Sequence, residues 1–545
     1  MKNKLKIIVP LCMTMLLSAC TISIKTNNTS DTTSSESVTS ETTSESTSSS
    51  SSFETTSGIS SEIISSVDSS SKSSSEDSSS EAKSGPVTLD FYSINDLHGR
   101  VNENSSENAT GLSKLSTYLK QLKAQNPTGF TFVNAGDSFQ DTYESGENKG
   151  NLIAEWLDMS GCEVMALGNH EFDWGQDALK KNKELAGNCT FLGANVIDTT
   201  TNEVSSLGDP YKIIERGGVK IGIIGTIGSD QFTSITSPLI SNLDFLNTTS
   251  VVKQYSDELR TEKGCDVILW VNHADYDDSD PTAVTSVSSV SGKKYVDAVF
   301  NAHSHQYEQY EENGVYFLQG ASHGQYLSHI SLTVDEGEVT SSSYSYINYY
   351  SMCDVSEDSD VEALKDKYYT SEYITARDAV QGTITGNSKI SKYLGGAILA
   401  KATYDLYPSL MTDVDIVMNN GCRNAGTSGS QTRESLFNMM PFTNKTYIVS
   451  NIKGEDINNE ISYNYYYKPE ENKTFDNDSY YTVAVIDYLL FHMGSSRTYN
   501  YFPSFSESNI KGVIDEYSVD ILCNYLQQKG TINTSSFTGT SHYRY

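Results

Sequence analysis

Residues 164–175, VMALGNHEFDWG, decide how this chain is read. Four apolar or small residues run straight into Gly168-Asn169-His170-Glu171, and Asp173 follows one helical turn after His170. A glycine turn with an asparagine helix cap would account for the pattern without any chemistry. The alternative is that a strand delivers a chemical site at its carboxyl end. The two readings separate once the rest of the chain is searched for the same device.

The device recurs. After the strand-like LDFYSIN comes Asp96-Leu97-His98, and after GFTFVN comes Gly136-Asp137. VILWVN leads into His273, and VDAVFNA into His303-Ser304-His305. Strands are predicted at 87–95, 130–134, 164–167, 220–225, 266–271 and 296–301. Between the first two, Leu112, Leu115, Leu119 and Leu122 recur at helical spacing and predict one packed helix face. Strand–helix alternation argues an α/β layered domain ending near residue 350. A charged helical stretch follows at 358–369, then a second mixed domain from about Val380 with strand-like DIVMNN, TYIVSNIKG and YTVAVIDYLLF.

Ligand sites of open α/β sheets form at the carboxyl ends of strands. In extended chain, residues i and i+2 point the same way, so Asp96 and His98 converge, as do His303 and His305. On a helical turn i and i+3 share a side, which places Asp173 near His170. Five of the chain's nine histidines occupy these strand ends. Mixed oxygen and nitrogen donors suit borderline divalent ions such as zinc or manganese. Two aspartates, an asparagine and four histidines exceed one tetrahedral shell. The economical reading is two ions bridged by one carboxylate, a pair suited to clamping a phosphoryl group.

Together these five blocks resemble the calcineurin-like metallophosphoesterases. The extended GNHEFDWG, with the later NNGCR and PFTN, resembles the 5′-nucleotidase family, which includes secreted nucleotidases, UDP-sugar hydrolases and 2′,3′-cyclic-nucleotide phosphodiesterases. The resemblance runs from about residue 87 to 505, strong in the first domain and patchy in the second. It implies a four-layer α/β/β/α sandwich (86–350), a helical connector (351–379) and a smaller α+β substrate-binding domain (380–545). By that resemblance Asp96, His98 and His305 hold one divalent ion, Asn169, His273 and His303 the other, and Asp137 bridges them. His170 is the transition-state residue, oriented by Asp173, while Glu171 and Phe172 are structural. In the second domain Phe442 and Tyr488 sandwich a base, and Arg423 is a bidentate phosphate partner.

Three departures from the family fall on substrate recognition and none on the metal shell. NNGCR is one residue shorter than the family's Asn-x-Gly-Gly-x-Arg turn, which leaves Asn419 and Asn420 both open as its asparagine. An upstream arginine is missing, and NSKISKYLGG offers Lys389 or Lys392 in its place. FHMGSSRTY replaces the usual GGDGY, so the acidic ribose contact is absent.

Composition supplies an address. Residues 1–19, MKNKLKIIVPLCMTMLLSA, combine three lysines with a short apolar run, a secretory signal. The following Cys20 completes a lipobox-like Leu-Ser-Ala-Cys and is the expected lipidation site. Removing Lys2, Lys4 and Lys6 moves the formal charge from −32 to −35. The Ser/Thr tract that fills 20–85 has too little apolar surface to offset ordering entropy and reads as a disordered stalk reaching ~45 Å. Its ten acids and three lysines leave −28 on the body. Such a body repels nucleic-acid polymers. The six cysteines after Cys20 show no zinc-ribbon spacing.

The expected protein is therefore a lipid-anchored 5′-nucleotidase on the extracellular face of a bacterial membrane, using two divalent ions to release phosphate and nucleoside. The alternatives are a 2′,3′-cyclic-nucleotide 2′-phosphodiesterase/3′-nucleotidase or a UDP-sugar hydrolase. Outside enzymes, the stalk and 35 tyrosines would suit a surface binding protein on a nucleotidase scaffold. Against it, all seven ligand positions are filled.

Overall fold

Alternation of apolar side chains builds the first half. Leu89, Phe91, Val133, Val164 and Ala166 face the interior between two sheets, where they meet Ile221, Ile223, Leu269 and Val271. Their neighbours Tyr92, Ile94, Phe132 and Met165 face outward beneath the helices Leu112–Gln125 and Asn151–Met159. On the second sheet Ile224, Ile268 and Trp270 face outward beneath the helix Thr248–Thr261. The result is α/β/β/α, the expected four layers. Leu112, Leu115, Leu119 and Leu122 are all buried, as their spacing predicts.

The first sheet runs Glu338–Asn348, Tyr326–Asp335, Val87–Ile94, Phe130–Asn134, Cys162–Ala166, Thr190–Leu192. Its last four strands are parallel. The second runs Tyr307–Glu312, Val315–Gly320, Ala298–Phe300, Val267–His273, Val219–Ile227, Tyr211–Arg216, with the four central strands parallel. Parallel strands end together, so their carboxyl ends share one edge of the sandwich.

This computed structural model describes residues 85–537; the signal segment, Cys20 and the Ser/Thr tract lie outside the described residues. Among the described residues no helix is long and apolar enough to cross a membrane. The helix Ser359–Tyr368, within the expected connector, buries Val361 and Leu364 in the first core. The next helix, Ser371–Asp378, has no fully buried residue but packs Tyr373 against the second core and leads into the second half.

There a five-stranded sheet runs Tyr465–Tyr467, Ile416–Asn419, Tyr480–Ile486, Thr446–Lys453, Ile510–Ile514. One face is covered by the helices Lys392–Leu406 and Ser518–Lys529 through Ile398, Leu399, Ile521 and Leu522. YTVAVIDYLLF is only partly strand: the chain turns into the helix Asp487–Leu490. The half-buried Asp487 carboxylate accepts the backbone N–H groups of Lys445 and Tyr488, and this ends the ladder.

Candidate metal centre and substrate cleft

The carboxyl ends of the parallel strands bring the seven predicted ligands together in two adjoining groups. In one, His98 Nε2 lies 2.8 Å from His305 Nε2 and 3.8 Å from Asp96 Oδ1, and His305 Nε2 lies 3.4 Å from Asp96 Oδ1. In the other, His273 Nε2 lies 3.2 Å from Asp137 Oδ2. The Asn169 amide oxygen sits 3.3 Å from His273 Nε2 and 3.1 Å from His303 Nδ1. Asp137 Oδ2 is also 3.9 Å from His98 Nε2, between the two groups. Asp96–His98–His305 and Asp137–His273–His303 each offer three atoms within the reach of a single ion.

The far sides of the rings show that these donors are aimed. His98 Nδ1 faces the Gln140 carbonyl at 3.2 Å and His273 Nδ1 faces the Ala135 carbonyl at 2.9 Å. A ring that donates to a carbonyl through Nδ1 presents the Nε2 lone pair, the tautomer a metal requires. Two Nε2 atoms converging at 2.8 Å beside the Asp96 carboxylate fit a common cation. Burial pushes the His98 imidazole well below its ordinary pKa, which keeps it a neutral donor. Burial also pushes the Asp137 carboxyl up, but the imidazoles of His273, His170 and His98 outweigh it and hold it well below the usual carboxylate range.

The backbone is bent to make this possible. Asp96, His98, Asp137, His303 and His305 all adopt positive φ, a costly conformation for non-glycine residues that clusters at functional sites. Gly168 is required by crowding: a Cβ there would lie 2.2 Å from Asp137 Oδ1. Glu171 is the keystone of the turn. Its buried carboxylate accepts the backbone N–H groups of Gly168, Asp137 and Ser138, each at 2.8 Å. Its structural role is thus as expected, though its share in holding the Asp137 loop is not visible from spacing.

His170 and Asp173 stand at the mouth of the centre. His170 Nδ1 is 2.8 Å from Asp173 Oδ2, and its backbone N–H donates to Asp137 Oδ1 at 2.8 Å. Burial disfavours the His170 cation, but Asp173 and Asp137 prevail and lift its pKa to about 9. Both side chains line a cleft of about 610 Å³ whose opposite wall comes from the second half. That wall carries the predicted Arg423, Phe442 and Tyr488 together with Lys392 and Asn420. Phe442 stacks against His170, centroids 5.8 Å apart at 15°, and the Arg423 guanidinium lies 5.9 Å from the Phe442 centroid.

Residues 89–307 match the calcineurin-like phosphoesterase family. The chain carries a calcineurin-like metallophosphoesterase domain. Endonuclease YhcR of Bacillus subtilis (strain 168) is 25% identical over 403 residues, covering 69% of this chain and 33% of that protein. The 5′-nucleotidase of Vibrio cholerae is 26% identical over 286 residues, 48% of this chain and 51% of that one. Among solved structures, the 5′-nucleotidase precursor from Thermus thermophilus superposes with a TM-score of 0.65 at 18% identity, covering 82% of this chain and 97% of that one. The chain thus spans a third to a half of the length of these curated relatives, and shares the fold of the solved structure across both halves.

Beside the metallophosphoesterase centre the structure settles two open positions. Asn419 is structural: its side chain donates to the Gly396 carbonyl and accepts the Gly421 N–H, so Asn420 is the residue that faces the cleft. Lys389 is exposed on a strand and Lys392 lines the cleft. Two residues near the centre carried no sequence signal. His323, at positive φ, donates its backbone N–H to the Asp96 carbonyl and places its ring 5.9 Å from that of His98. Asp141, four residues after Asp137, is buried between two arginines. Cys20 lies outside the described residues.

Proposed function

We propose that the protein is a two-metal phosphoric ester hydrolase that cleaves nucleotide phosphomonoesters to phosphate and nucleoside. The observation that carries this reading is that the cleft holding the His170–Asp173 pair reaches Asn169 and His303 of the converged ligands on one side and a wall bearing an arginine and aromatic rings on the other. When bound, a pair of divalent cations supplies Lewis-acid polarisation and an activated water. Asp96, His98 and His305 would hold one cation and Asn169, His273 and His303 the other, with Asp137 available to both. The acidic chain offers little other positive charge to an incoming anion.

The remaining work belongs to side chains. His170, protonated and held by Asp173, faces the phosphoryl group and stabilises negative charge building on its oxygens or on the leaving oxygen. Arg423 and Lys392 bind the phosphate from the opposite wall. Phe442 and Tyr488 offer ring faces to the base, each contact contributing about 1–3 kcal/mol irrespective of sequence. The V. cholerae relative named 5′-nucleotidase supports the phosphomonoester assignment.

A phosphodiester substrate is the second reading, favoured by the B. subtilis relative being named an endonuclease. The cleft is sized for one nucleotide rather than a duplex, and the net charge of −32 opposes a polymer. A 2′,3′-cyclic nucleotide remains compatible with both features. Turnover of 5′-AMP, 3′-AMP, 2′,3′-cyclic AMP, a UDP-sugar and single-stranded DNA with added manganese separates these cases. Preference for 5′-AMP supports the proposal, and no turnover of any of them contradicts it.

The signal-like segment and Cys20 support an enzyme anchored by lipid on the outer face of the membrane, a reading that rests on sequence alone. Metabolic labelling with a fatty acid tests it: label that survives Cys20→Ala argues against this anchor.

A further inference from the structure

Asp141 is conspicuous for its cost. It is 3% exposed and held at φ 132°, a region that favours glycine. Its Oδ2 accepts a hydrogen bond from Arg100 Nη1 at 3.2 Å. Its buried Oδ1 takes no hydrogen bond among the described residues; instead Arg423 Nε approaches it at 3.5 Å. A buried carboxylate in a strained conformation persists only if the surroundings over-determine it.

The surroundings do so from both sides. Arg100 donates through Nη1 to the His98 carbonyl at 2.8 Å and through Nε to Glu107 at 2.8 Å, so Asp141 is tied to the backbone of a predicted metal ligand. Its flanks are fixed against the second half. Gln140 Nε2 donates to the Pro441 carbonyl at 2.7 Å, and the Tyr143 N–H donates to Asn438 Oδ1 at 3.0 Å. Asp141 therefore sits on a rigid loop joining the metal centre to the cleft wall. Its nearest approach to Arg423 is at Nε, and the Arg423 side chain, about a third exposed, also lines the cleft, where a guanidinium can grip a phosphate.

We infer that Asp141 is a positioning residue for substrate: it aims Arg423 at the substrate anion and ties that aim to the metal centre, without touching substrate itself. The inference rests on the proposed phosphoester activity. Asp141 binds Arg100 at the shorter distance and Arg423 at the longer one, so Arg423 is oriented and remains able to engage an anion.

The test is a double-mutant cycle on full-length, manganese-loaded protein with 5′-AMP. Asp141→Asn is expected to raise KM about tenfold with kcat within about threefold, since the lost interaction acts in ground and transition states alike. In an Arg423→Ala background the same change is expected to be silent. An unchanged or lower KM, a fall in kcat with loss of metal, or an equal effect in both backgrounds each overturns the inference. Should Asp141→Asn fail to fold, Asp141→Gly, which accepts φ 132° without strain, replaces it in the same cycle. Should the wild type turn over no phosphoester, the functional reading fails by itself. The cycle is then read from inorganic phosphate affinity by calorimetry, where full additivity, or no phosphate binding by the wild type, overturns the role of Asp141.

Discussion

His170 Nδ1 and Asp173 Oδ2 are 2.8 Å apart across one tight turn of chain, and no other element is needed to bring them together. The next contact in the series is between the two halves: Thr443 Oγ1 donates to the Asp173 carbonyl at 3.1 Å. The pair therefore stands where the metal centre meets the substrate wall, which makes its geometry a direct object of mutation.

Asp173→Asn removes the charge that fixes the His170 ring and favours its protonated form. We expect kcat to fall about 10²-fold, within the range for loss of a positioned acid or base, with KM changed less than about threefold. Steady-state kinetics with matched metal content checks this. A rise in KM with kcat intact would assign Asp173 to substrate binding instead.

Glu171 makes a different kind of prediction. Glu171→Ala strands three buried backbone N–H groups, each costing about 1–3 kcal/mol when unsatisfied, and frees the Asp137 loop. Thermal unfolding should show a loss on the order of 3 kcal/mol or more, accompanied by weaker manganese binding. Glu171→Gln retains one acceptor oxygen and should recover part of both. Equal behaviour of the two variants would mean that the carboxylate is not what organises the loop.

Asp90 supplies a pH signature away from the site. Burial raises its pKa, but hydrogen bonds from His329 at 2.9 Å and Asn126 at 2.7 Å outweigh this and lower it from 3.8 to about 2. A carboxyl whose folded pKa is depressed contributes stability that is complete above its unfolded pKa and lost as pH falls through the folded one. Asp90→Asn should therefore be less stable than wild type above about pH 4, by ~1 kcal/mol or less for this partly solvated group, and the gap should close toward pH 2. Denaturant unfolding at about pH 7 and about pH 2.5 measures it; a gap that widens in acid would reverse the assignment.

The site was legible because its chemistry is local. Each ligand directly follows a strand whose apolar run can be seen, and Asp96-x-His98, His303-x-His305 and His170-x-x-Asp173 carry their own geometry. The parallel core strands were legible too, since residues such as Val267–Val271 are apolar on both faces when buried on both. The edge strand Tyr307–Glu312 was not, because YEQYEE is mostly exposed and has no buried period to detect. Asp141 and His323 were hidden for another reason: their partners Arg423, Arg100 and Asp96 lie distant in sequence or on a different loop, and nothing adjacent marks them. The split of Asn419 from Asn420 likewise turns on a hydrogen bond to Gly396, which only the packed helix provides.

The claim beneath all of this is that two cations share the space between Asp96, Asp137 and Asn169. Elemental analysis of protein loaded with manganese and freed of excess measures it. The account predicts two ions per chain in the wild type and loss of at least one in Asp137→Ala with the fold intact. Fewer than one ion per wild-type chain, or full occupancy in Asp137→Ala, would contradict it.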